Sequence, residues 1–365
     1  MPFREVTRMD ERRLLAHRVL VEGWSIAASA RAGGVSRETA YRWLARAREE
    51  GIASLAEKSR RPRNSPGATL PELTQELLSL KAEHPCYGAR KLSELMQQRV
   101  RPRTASRILS RHGLTCPIAP KESMRRFERE TSNELWQMDF KGMRMRRPLY
   151  EVLSVLDDAT RFCIALPALP DQRADTAWDA LWTAFEAFGL PDAVLCDNGP
   201  AFRNNGIWRP SSLDMRLMKL GIRSMHGRPY HPQTQGKVER FHGTMARELG
   251  ITLWQPDFPK GQSVLSAFRD RYNWQRPHEA IQMKVPGEIY RRSKRERPER
   301  LPKPDYAAGA IVHIVRDPGQ IRFKGNYYYL GRALIGESVE LLDLDDGWRV
   351  NYYGNELGHL EEFRQ

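Results

Sequence analysis

The chain has 365 residues, of which 40% are hydrophobic and 28% charged, a length that fits about two average domains. No apolar run approaches the roughly 18 residues of a membrane-spanning helix, and no apolar stretch follows the basic start in the way a secretory signal requires. Four cysteines are too few for a disulfide scaffold in a chain this long. We therefore expect a globular protein of the cytoplasm, without a membrane partner.

The charge is strongly basic and unevenly distributed. The net charge is +14 with a pI near 9.8, and residues 1 to 130 hold 26 Lys and Arg against 15 Asp and Glu, an excess of 11. Such an excess favours a polyanion such as nucleic acid as the partner. The alternative is a basic surface that serves only solubility.

Residues 1–56 predict a helix-turn-helix unit. A first helix spans about residues 10 to 22, and the stretch SIAASARAGGVSRETAYRWLARAREEG (25–51) reads as helix, turn and helix. Gly33 and Gly34 suit the turn, and Ser36 is a good N-cap for the last helix. Its inward positions are Ala40, Trp43, Leu44 and Ala47, and its outward, DNA-binding positions are Arg37, Tyr41, Arg42 and Arg46. Such an exposed face is typical of a recognition helix, although a helical hairpin with a solvated arginine face would look similar.

A second helix-turn-helix domain is predicted at residues 71–116, between linkers at 57–70 and 117–130. The segments YGARKLSELMQQ and RPRTASRILSRHG form its helix pair, with Pro102 at a helix start and Gly113 after a helix end. The expected core residues are Ala105, Ile108 and Leu109. A stripe of DNA-binding arginines, Arg103, Arg107 and Arg111, lies on the exposed face.

Residues 131–290 have the pattern of a mixed α/β domain. The runs LWQMDF, PLYEVLSVL, RFCIALPAL and DAVLC predict strands, and DQRADTAWDALWTAFEAFG predicts an amphipathic helix that ends at Gly189. Further helices are expected at SSLDMRLMKLG and QGKVERFHGTMARELG, with a short strand GIRSM between them. We expect one mixed sheet with helices on both faces, and Trp136 and Trp274 in the core.

The run RRSKRERPERLPKP (291–304) is basic and contains prolines, and we interpret it as a linker. Beyond it, GAIVHIV, NYYYLG, ESVELLDL and WRVNYYG are short strands separated by Gly, Asp and Asn. These predict a small antiparallel β-barrel over residues 305–365. The chain is thus expected to be multidomain: helical units, an α/β core and a β-barrel.

Three carboxylates are placed where chemistry is expected. Asp139 lies within the first strand of the α/β region, Asp197 follows the strand DAVLC, and Glu239 lies near the start of a helix. Ligands of α/β sheets bind at the carboxyl ends of the strands. Acids that share such a crevice repel each other unless a cation neutralises them. As single residues, each could equally be an exposed strand, turn or surface-pair residue.

Hard oxygen ligands favour Mg²⁺, and two ions about 4 Å apart support in-line displacement at phosphorus. We therefore expect two Mg²⁺, for which Mn²⁺ can substitute, held by Asp139, Asp197 and Glu239. The neighbouring Lys237, Arg240 and His242 would bind DNA phosphates. Asn198 and His231 are candidates for orienting a carboxylate or a phosphate. Zinc on His84, Cys86, His112 and Cys116 is a weak alternative, because their spacing is uncommon for zinc sites.

These motifs together resemble the bacterial insertion-sequence transposases of the DDE / retroviral-integrase catalytic core superfamily. The resemblance rests on WQMDFKG, VLSVLDDATRF, LCDNGPAF, HPQTQGKVERFHGT and YNWQRPHEAI, and it spans roughly residues 5 to 290. It implies an RNase H-like core whose catalytic triad is Asp139, Asp197 and Glu239. One departure is the spacing: 41 residues separate Asp197 from Glu239, against about 35 in much of the family. RNNGIWRPSS (203–212) would accommodate the surplus, and Glu248 is the fallback.

The resemblance implies a transposase that binds the terminal repeats of an element and a target, both double-stranded DNA, as a homo-oligomer. Strand cleavage and strand transfer would follow in one metal-dependent site, in the bacterial cytoplasm and at the nucleoid when bound to DNA. Two alternatives stay open. One is a catalytically silent DNA-binding regulator of the element, and the other is a nuclease without strand transfer.

Overall fold

A computed structural model of the protein describes residues 8–56, 67–115, 129–141, 150–196, 210–226, 236–253 and 257–364. The chain divides into two compact units, one ending at residue 68 and the other beginning at residue 69. Among the described residues, no helix is both long and apolar enough to cross a membrane.

The first unit contains three helices, α1 (Arg8–Leu20), α2 (Ile26–Ala32) and α3 (Arg37–Glu50), and then a 3₁₀ turn at Ile52–Leu55. Ser36 caps α3 as predicted, because its hydroxyl accepts a hydrogen bond from the Thr39 N–H. Gly34 takes a φ of +63° in the turn before α3, a conformation that favours glycine. The buried core contains Leu15, Ala16, Ala30, Ala40, Leu44, Ala47 and Leu55. The helix–turn–helix arrangement therefore follows from local signals in the sequence.

The second unit begins with a group of three helices, α4 (Pro71–Glu83), α5 (Ala89–Leu95) and α6 (Pro102–Arg111). Proline occupies the first turn of α4 and of α6, where its missing N–H has no partner to lose. Ala105, Ile108 and Leu109 are buried, as predicted. One face of α6 therefore packs in the core, and the opposite face exposes Arg103, Arg107 and Arg111.

This helical group packs on the α/β core through the buried Arg276. The Arg276 guanidinium lies 5.6 Å from the ring centres of both Tyr87, in the loop before α5, and Tyr272, in the core. Its Nε donates a hydrogen bond of 2.8 Å to Oε1 of Glu248. Glu248 is thus held in a buried ion pair and is unsuited to be the fallback metal ligand.

The core is a mixed sheet formed by six strands: β1 (Trp136–Lys141), β2 (Glu151–Asp157), β3 (Cys163–Ala165), β4 (Ala168–Leu169), β5 (Ala193–Cys196) and β6 (Arg223–His226). The strand order is β3-β2-β1-β5-β6, and β4 also pairs with β2. β1 pairs antiparallel with β2 and parallel with β5, which in turn pairs parallel with β6. The predicted strand sequence and the mixed sheet are confirmed.

Helices cover both faces of this sheet. On one face, Trp136, Met138, Leu153 and Val155 pack with α7 (Ala174–Phe188) and α8 (Ser212–Lys219). On the other, Val152 and Leu156 pack with α9 (Gly236–Leu249) and α10 (Phe258–Trp274). Because strand side chains alternate between faces, Asp139 and Ser154 lie on the α9 side. A short helix, α11 (Pro286–Ile289), follows α10.

The basic run that begins at Arg291 is bound to the core rather than extended into solvent. Arg295 donates hydrogen bonds to the carbonyl groups of Pro191, Leu220 and Gly221, and the Arg297 guanidinium lies 4.4 Å from the Trp182 ring centre. Gly189, with a φ of +76°, allows the close approach, since a Cβ there would lie 2.8 Å from the Arg295 carbonyl oxygen. The interpretation of this part of the run as a linker is therefore wrong.

The C-terminal strands are β7 (Ile311–Ile314), β8 (Gln320–Phe323), β9 (Asn326–Tyr329), β10 (Ser338–Leu344), β11 (Gly347–Tyr352) and β12 (Asn355–His359). They form an open sheet in the order β12-β11-β10-β7 and a separate hairpin of β8 with β9. The predicted closed barrel is not found, because β7 and β12 stay at opposite edges. Met215 and Met218 of α8 belong to the apolar core of these sheets. The C-terminal sheets therefore pack directly on the α/β core.

Candidate active site

Asp139 lies in β1 on the face that α9 covers. Trp136 and Met138 fill the opposite face, so the alternation of the strand directs the aspartate toward α9. In the antiparallel register with β2, Asp139 is opposite Ser154. The Asp139 side chain is 17% exposed, so most of it is shielded from solvent. A carboxylate in this position is partly desolvated and close to a helix.

Helix α9 carries Glu239 in its first turn, where the positive end of the helix dipole favours a negative charge. Val238, Phe241 and Met245 are buried and fix the helix on the sheet. Glu239 and Arg240 are exposed on the side away from this core. The first turn of α9 thus presents one acid and one base to solvent.

His242 connects α9 to both strands. Its Nε2 is 2.9 Å from the Ser154 hydroxyl, and its Nδ1 is 3.7 Å from Oδ2 of Asp139. Burial, and then the charge of Lys141, lowers the pKa of His242 to about 3, so the contact with Asp139 is made by a neutral imidazole. Because the residue is only 7% exposed, the predicted direct phosphate contact of His242 is wrong.

Lys237 is also engaged inside the protein rather than by a phosphate. Its Nζ is 2.5 Å from Oδ2 of Asp158, whose side chain is fully buried. The same carboxylate accepts hydrogen bonds from the Gln137 amide and the Arg129 N–H. This ion pair ties the start of α9 to β1 and to the turn after β2. The predicted phosphate contact of Lys237 conflicts with this placement, because a lysine withdrawn from Asp158 would leave a buried charge unpaired.

Asp197, Asn198 and His231 lie outside the described residues. The strand that precedes Asp197 is described, however. Its last residue, Cys196, pairs in parallel register with Met138, the residue before Asp139. β1 and β5 are thus direct neighbours in the sheet.

The candidate metal ligands among the described residues are oxygen atoms. Asp139 and Glu239 are carboxylates, which suit Mg²⁺ or Mn²⁺ rather than a soft metal. No group of three or more His, Cys, Asp or Glu able to hold a metal ion occurs within the described ranges. For the zinc alternative, Cys86 donates a hydrogen bond to the Arg247 carbonyl group and His84 stacks on Tyr87, while Cys116 lies outside the described residues.

The candidate DNA-binding residues of α3 divide into two groups. Arg37, Tyr41 and Arg42 are exposed. The Arg46 guanidinium, in contrast, donates hydrogen bonds to the carbonyl groups of Ser54 and Ala56. Arg46 therefore holds the turn after α3, and its predicted role as a DNA contact does not agree with this placement. On α6, Arg103, Arg107 and Arg111 are all exposed.

Three residues of the site were missed by sequence reasoning: Gln137, Ser154 and Asp158. The available signal for Ser154 is a lone hydroxyl in the middle of the strand EVLSVLD, with two apolar residues on each side. Asp157 accepts hydrogen bonds from the Thr160 N–H and hydroxyl within the turn, whereas the carboxylate of its neighbour Asp158 is bound by Lys237. Trp136 is buried as expected, whereas the prediction for Trp274 is wrong, since it is 60% exposed.

Comparisons with known proteins agree with this architecture. Integrase core domain families match residues 129–232 and 220–286, and the family described as the leucine-zipper of insertion element IS481 matches residues 3–81. An uncharacterized 31.7 kDa protein of insertion element IS407 from Burkholderia multivorans is 25% identical over 235 residues, covering 60% of this chain and 80% of that protein. An uncharacterized 39.2 kDa protein of insertion element IS476 from Xanthomonas euvesicatoria is 22% identical, covering 70% and 77%.

Two solved structures of viral proteins also match the chain. The intasome of simian T-cell lymphotropic virus, in complex with a PP2A regulatory subunit, matches with a TM-score of 0.39 and 18% identity, covering 78% of this chain and 98% of that chain. The integrase catalytic core domain of HTLV-2, in complex with magnesium, matches with a TM-score of 0.36 and 18% identity, covering 46% and 100%.

Residues 129–286 of the chain therefore match integrase core domain families. Together with the insertion-element relatives, this confirms its resemblance to the insertion-sequence transposases of the DDE / retroviral-integrase superfamily.

Proposed function

We propose that the protein is a DNA transposase that cleaves the ends of an insertion sequence and joins them to a target. The observation that carries the proposal is the approach of α9 to β1, which brings the helix of Glu239 against the strand of Asp139. His242 lies one helical turn after Glu239, and residues three apart are neighbours on a helix surface. Since His242 reaches Asp139, we propose that the Glu239 carboxylate turns toward the same crevice as Asp139.

Asp197 completes this site in our proposal. It follows β5 directly, and β5 is the neighbour of β1 on the side away from β2. Asp139, Asp197 and Glu239 would hold two Mg²⁺. Bound there, the ions supply the positive charge that activates an attacking oxygen and stabilises the leaving one. Because the attacking oxygen comes from water and then from a DNA 3′-hydroxyl, the chain itself needs no covalent nucleophile.

Two phosphoryl transfers would take place in this site. In the first, water attacks a phosphodiester at the element end, and the P–O3′ bond breaks to release a 3′-hydroxyl. In the second, that 3′-hydroxyl attacks a target phosphodiester, forming a new P–O bond and releasing a target 3′-hydroxyl. The exposed Arg240, next to Glu239 in α9, binds a phosphate of the strand being cut.

The helical parts bind the element ends in this proposal. Residues 1–56 use Arg37, Tyr41 and Arg42, and residues 71–116 use the stripe of Arg103, Arg107 and Arg111. Two ends and a target must meet, so we propose a homo-oligomer assembled on DNA around catalytic cores formed by residues 131–290. Asn198 and His231 would orient a carboxylate or a phosphate near Asp197.

The proposal is tested with purified protein, labelled element ends and Mg²⁺. We expect wild type to give cleaved ends and strand-transfer products, and Asp197→Asn to give neither while still binding the ends. Asp179→Asn on α7 is the matched control, because it removes the same charge from an exposed position on a helix that packs on the sheet face opposite α9. Equal strand transfer by wild type and Asp197→Asn would refute the assigned chemistry.

Two other functions remain outcomes of the same experiment. Cleavage without any strand-transfer product would identify a nuclease. Binding of the ends without cleavage by wild type would identify a catalytically silent regulator. The retention of all three acids, Asp139, Asp197 and Glu239, in the sequence favours the transposase, because loss of one of them would be expected in a regulator that no longer cuts.

A further inference from the structure

The imidazole of His242 occupies a position that neither DNA binding nor core packing explains. It is buried among α9, β1 and β2, and each ring nitrogen faces a polar atom on a different strand: Ser154 on β2 and Asp139 on β1. These two residues are opposite each other in the β1–β2 register. A side chain that only filled space would not need a polar partner on each side.

The partners decide which ring nitrogen carries the proton. A carboxylate only accepts hydrogen bonds, so a bare Nδ1 would aim one lone pair at another. The Ser154 hydroxyl can donate to Nε2, which leaves the proton on Nδ1, directed at Oδ2 of Asp139. The Nδ1–Oδ2 distance of 3.7 Å is longer than a hydrogen bond. A small side-chain movement would bring the two atoms within hydrogen-bond distance and link Ser154, His242 and Asp139 by consecutive hydrogen bonds.

We propose that His242 is a positioning residue that sets the orientation of the Asp139 carboxylate and fixes it relative to the helix that carries Glu239. This inference rests on the proposed function, because the orientation matters when the two acids share a divalent ion. Groups that hold metal ligands in place typically change metal affinity or activity by about 10- to 100-fold when they are removed. His242 acts on Asp139 and Ser154 acts through His242.

The inference predicts a change in metal affinity that does not need DNA or catalysis. Mn²⁺ alone is titrated into the full-length protein, and free Mn²⁺ is measured by electron paramagnetic resonance. We expect His242→Ala to weaken Mn²⁺ binding by about 10- to 100-fold. His242→Gln should retain most of the affinity, since its amide keeps one donor and one acceptor. Ser154→Ala should give a smaller loss in the same direction.

The combination of variants separates positioning from a structural role. Ser154→Ala should add no further loss in the His242→Ala background if the serine acts through the histidine. Circular dichroism and thermal unfolding record the fold of each variant. Mn²⁺ affinity unchanged in a folded His242→Ala protein would overturn the inference. Should His242→Ala fail to fold, an unchanged affinity in Ser154→Ala would overturn it instead.

Asp139→Asn distinguishes failure of this inference from failure of the proposed function. If Asp139→Asn abolishes Mn²⁺ binding while the His242 and Ser154 variants leave it intact, only the positioning role falls. If Asp139→Asn itself leaves Mn²⁺ binding unchanged, Asp139 is not a metal ligand and both proposals fall.

Discussion

The buried ion pair of Lys237 with Asp158 gives the sharpest test of how α9 is held on the sheet. Lys237→Met keeps the length of the aliphatic stem and removes the charge. The Asp158 carboxylate then stays in a fully buried position without its cation. Burying an uncompensated charge is strongly unfavourable, so the variant should be much less stable than its small change in volume suggests.

The expected loss follows from the remaining contacts. Breaking a buried pair by removing one partner typically costs about 3–5 kcal/mol. Two hydrogen bonds to Asp158, from the Gln137 amide and the Arg129 N–H, survive in the variant. We therefore expect a loss near the lower limit, about 3 kcal/mol. Asp158→Asn combined with Lys237→Met should recover much of this, since the neutral amide no longer needs a cation.

Urea unfolding followed by tryptophan fluorescence measures the effect, because Trp136 is buried beside the site. The matched control is Arg240→Met, which removes a cation from an exposed position on the same helix and should change stability by no more than about 0.5 kcal/mol. Equal midpoints for Lys237→Met and Arg240→Met would refute the structural role. The same result joined to weaker DNA binding by both variants would restore the predicted phosphate contact of Lys237.

Three further predictions concern arginines outside this ion pair and the buried His278. Arg42→Ala should weaken binding of the element ends at physiological salt without changing the free energy of unfolding. Arg46→Ala should instead destabilise the N-terminal unit, because the carbonyl groups of Ser54 and Ala56 lose their hydrogen-bond donor. DNA binding measured at several salt concentrations, together with urea unfolding, separates the two effects. Arg295→Ala should lower the free energy of unfolding by about 1–3 kcal/mol with DNA affinity unchanged, and a weaker affinity at equal stability would contradict this. Burial lowers the pKa of His278 to about 3, so its contribution to stability is present above pH 6.5 and is lost as pH falls toward 3. His278→Gln should therefore reduce the slope of unfolding free energy against pH by about 1.4 kcal/mol per pH unit. An unchanged slope between pH 7 and pH 5 would refute this prediction.

The sequence predicted well what local patterns determine. Strand and helix order in the core followed from apolar periodicity, and Ser36 and Pro102 marked helix starts because capping and proline geometry are local. The position of Asp139 on the α9 face also follows from alternation once Trp136 is assigned to the core. These features depend on residues close together in the chain.

What the sequence did not predict depends on partners distant in the chain. Lys237, Arg46 and Arg295 look like surface cations in the sequence, because a guanidinium or ammonium bound to a carbonyl group or a buried acid leaves no local trace. The C-terminal strands were recognised as strands, but whether β7 and β12 meet and close a barrel depends on pairing that no periodicity encodes. His242 was placed among the phosphate ligands for the same reason, since its partner Ser154 is 88 residues away.

The most direct test of the account is a crystal structure of the protein grown with Mn²⁺, in which anomalous scattering locates the ions. The account predicts Mn²⁺ with carboxylate oxygens of Asp139, Asp197 and Glu239 at about 2.0–2.2 Å, the range of small divalent ions bound to carboxylates. Strong Mn²⁺ peaks elsewhere, with these three side chains directed to separate surfaces, would contradict it.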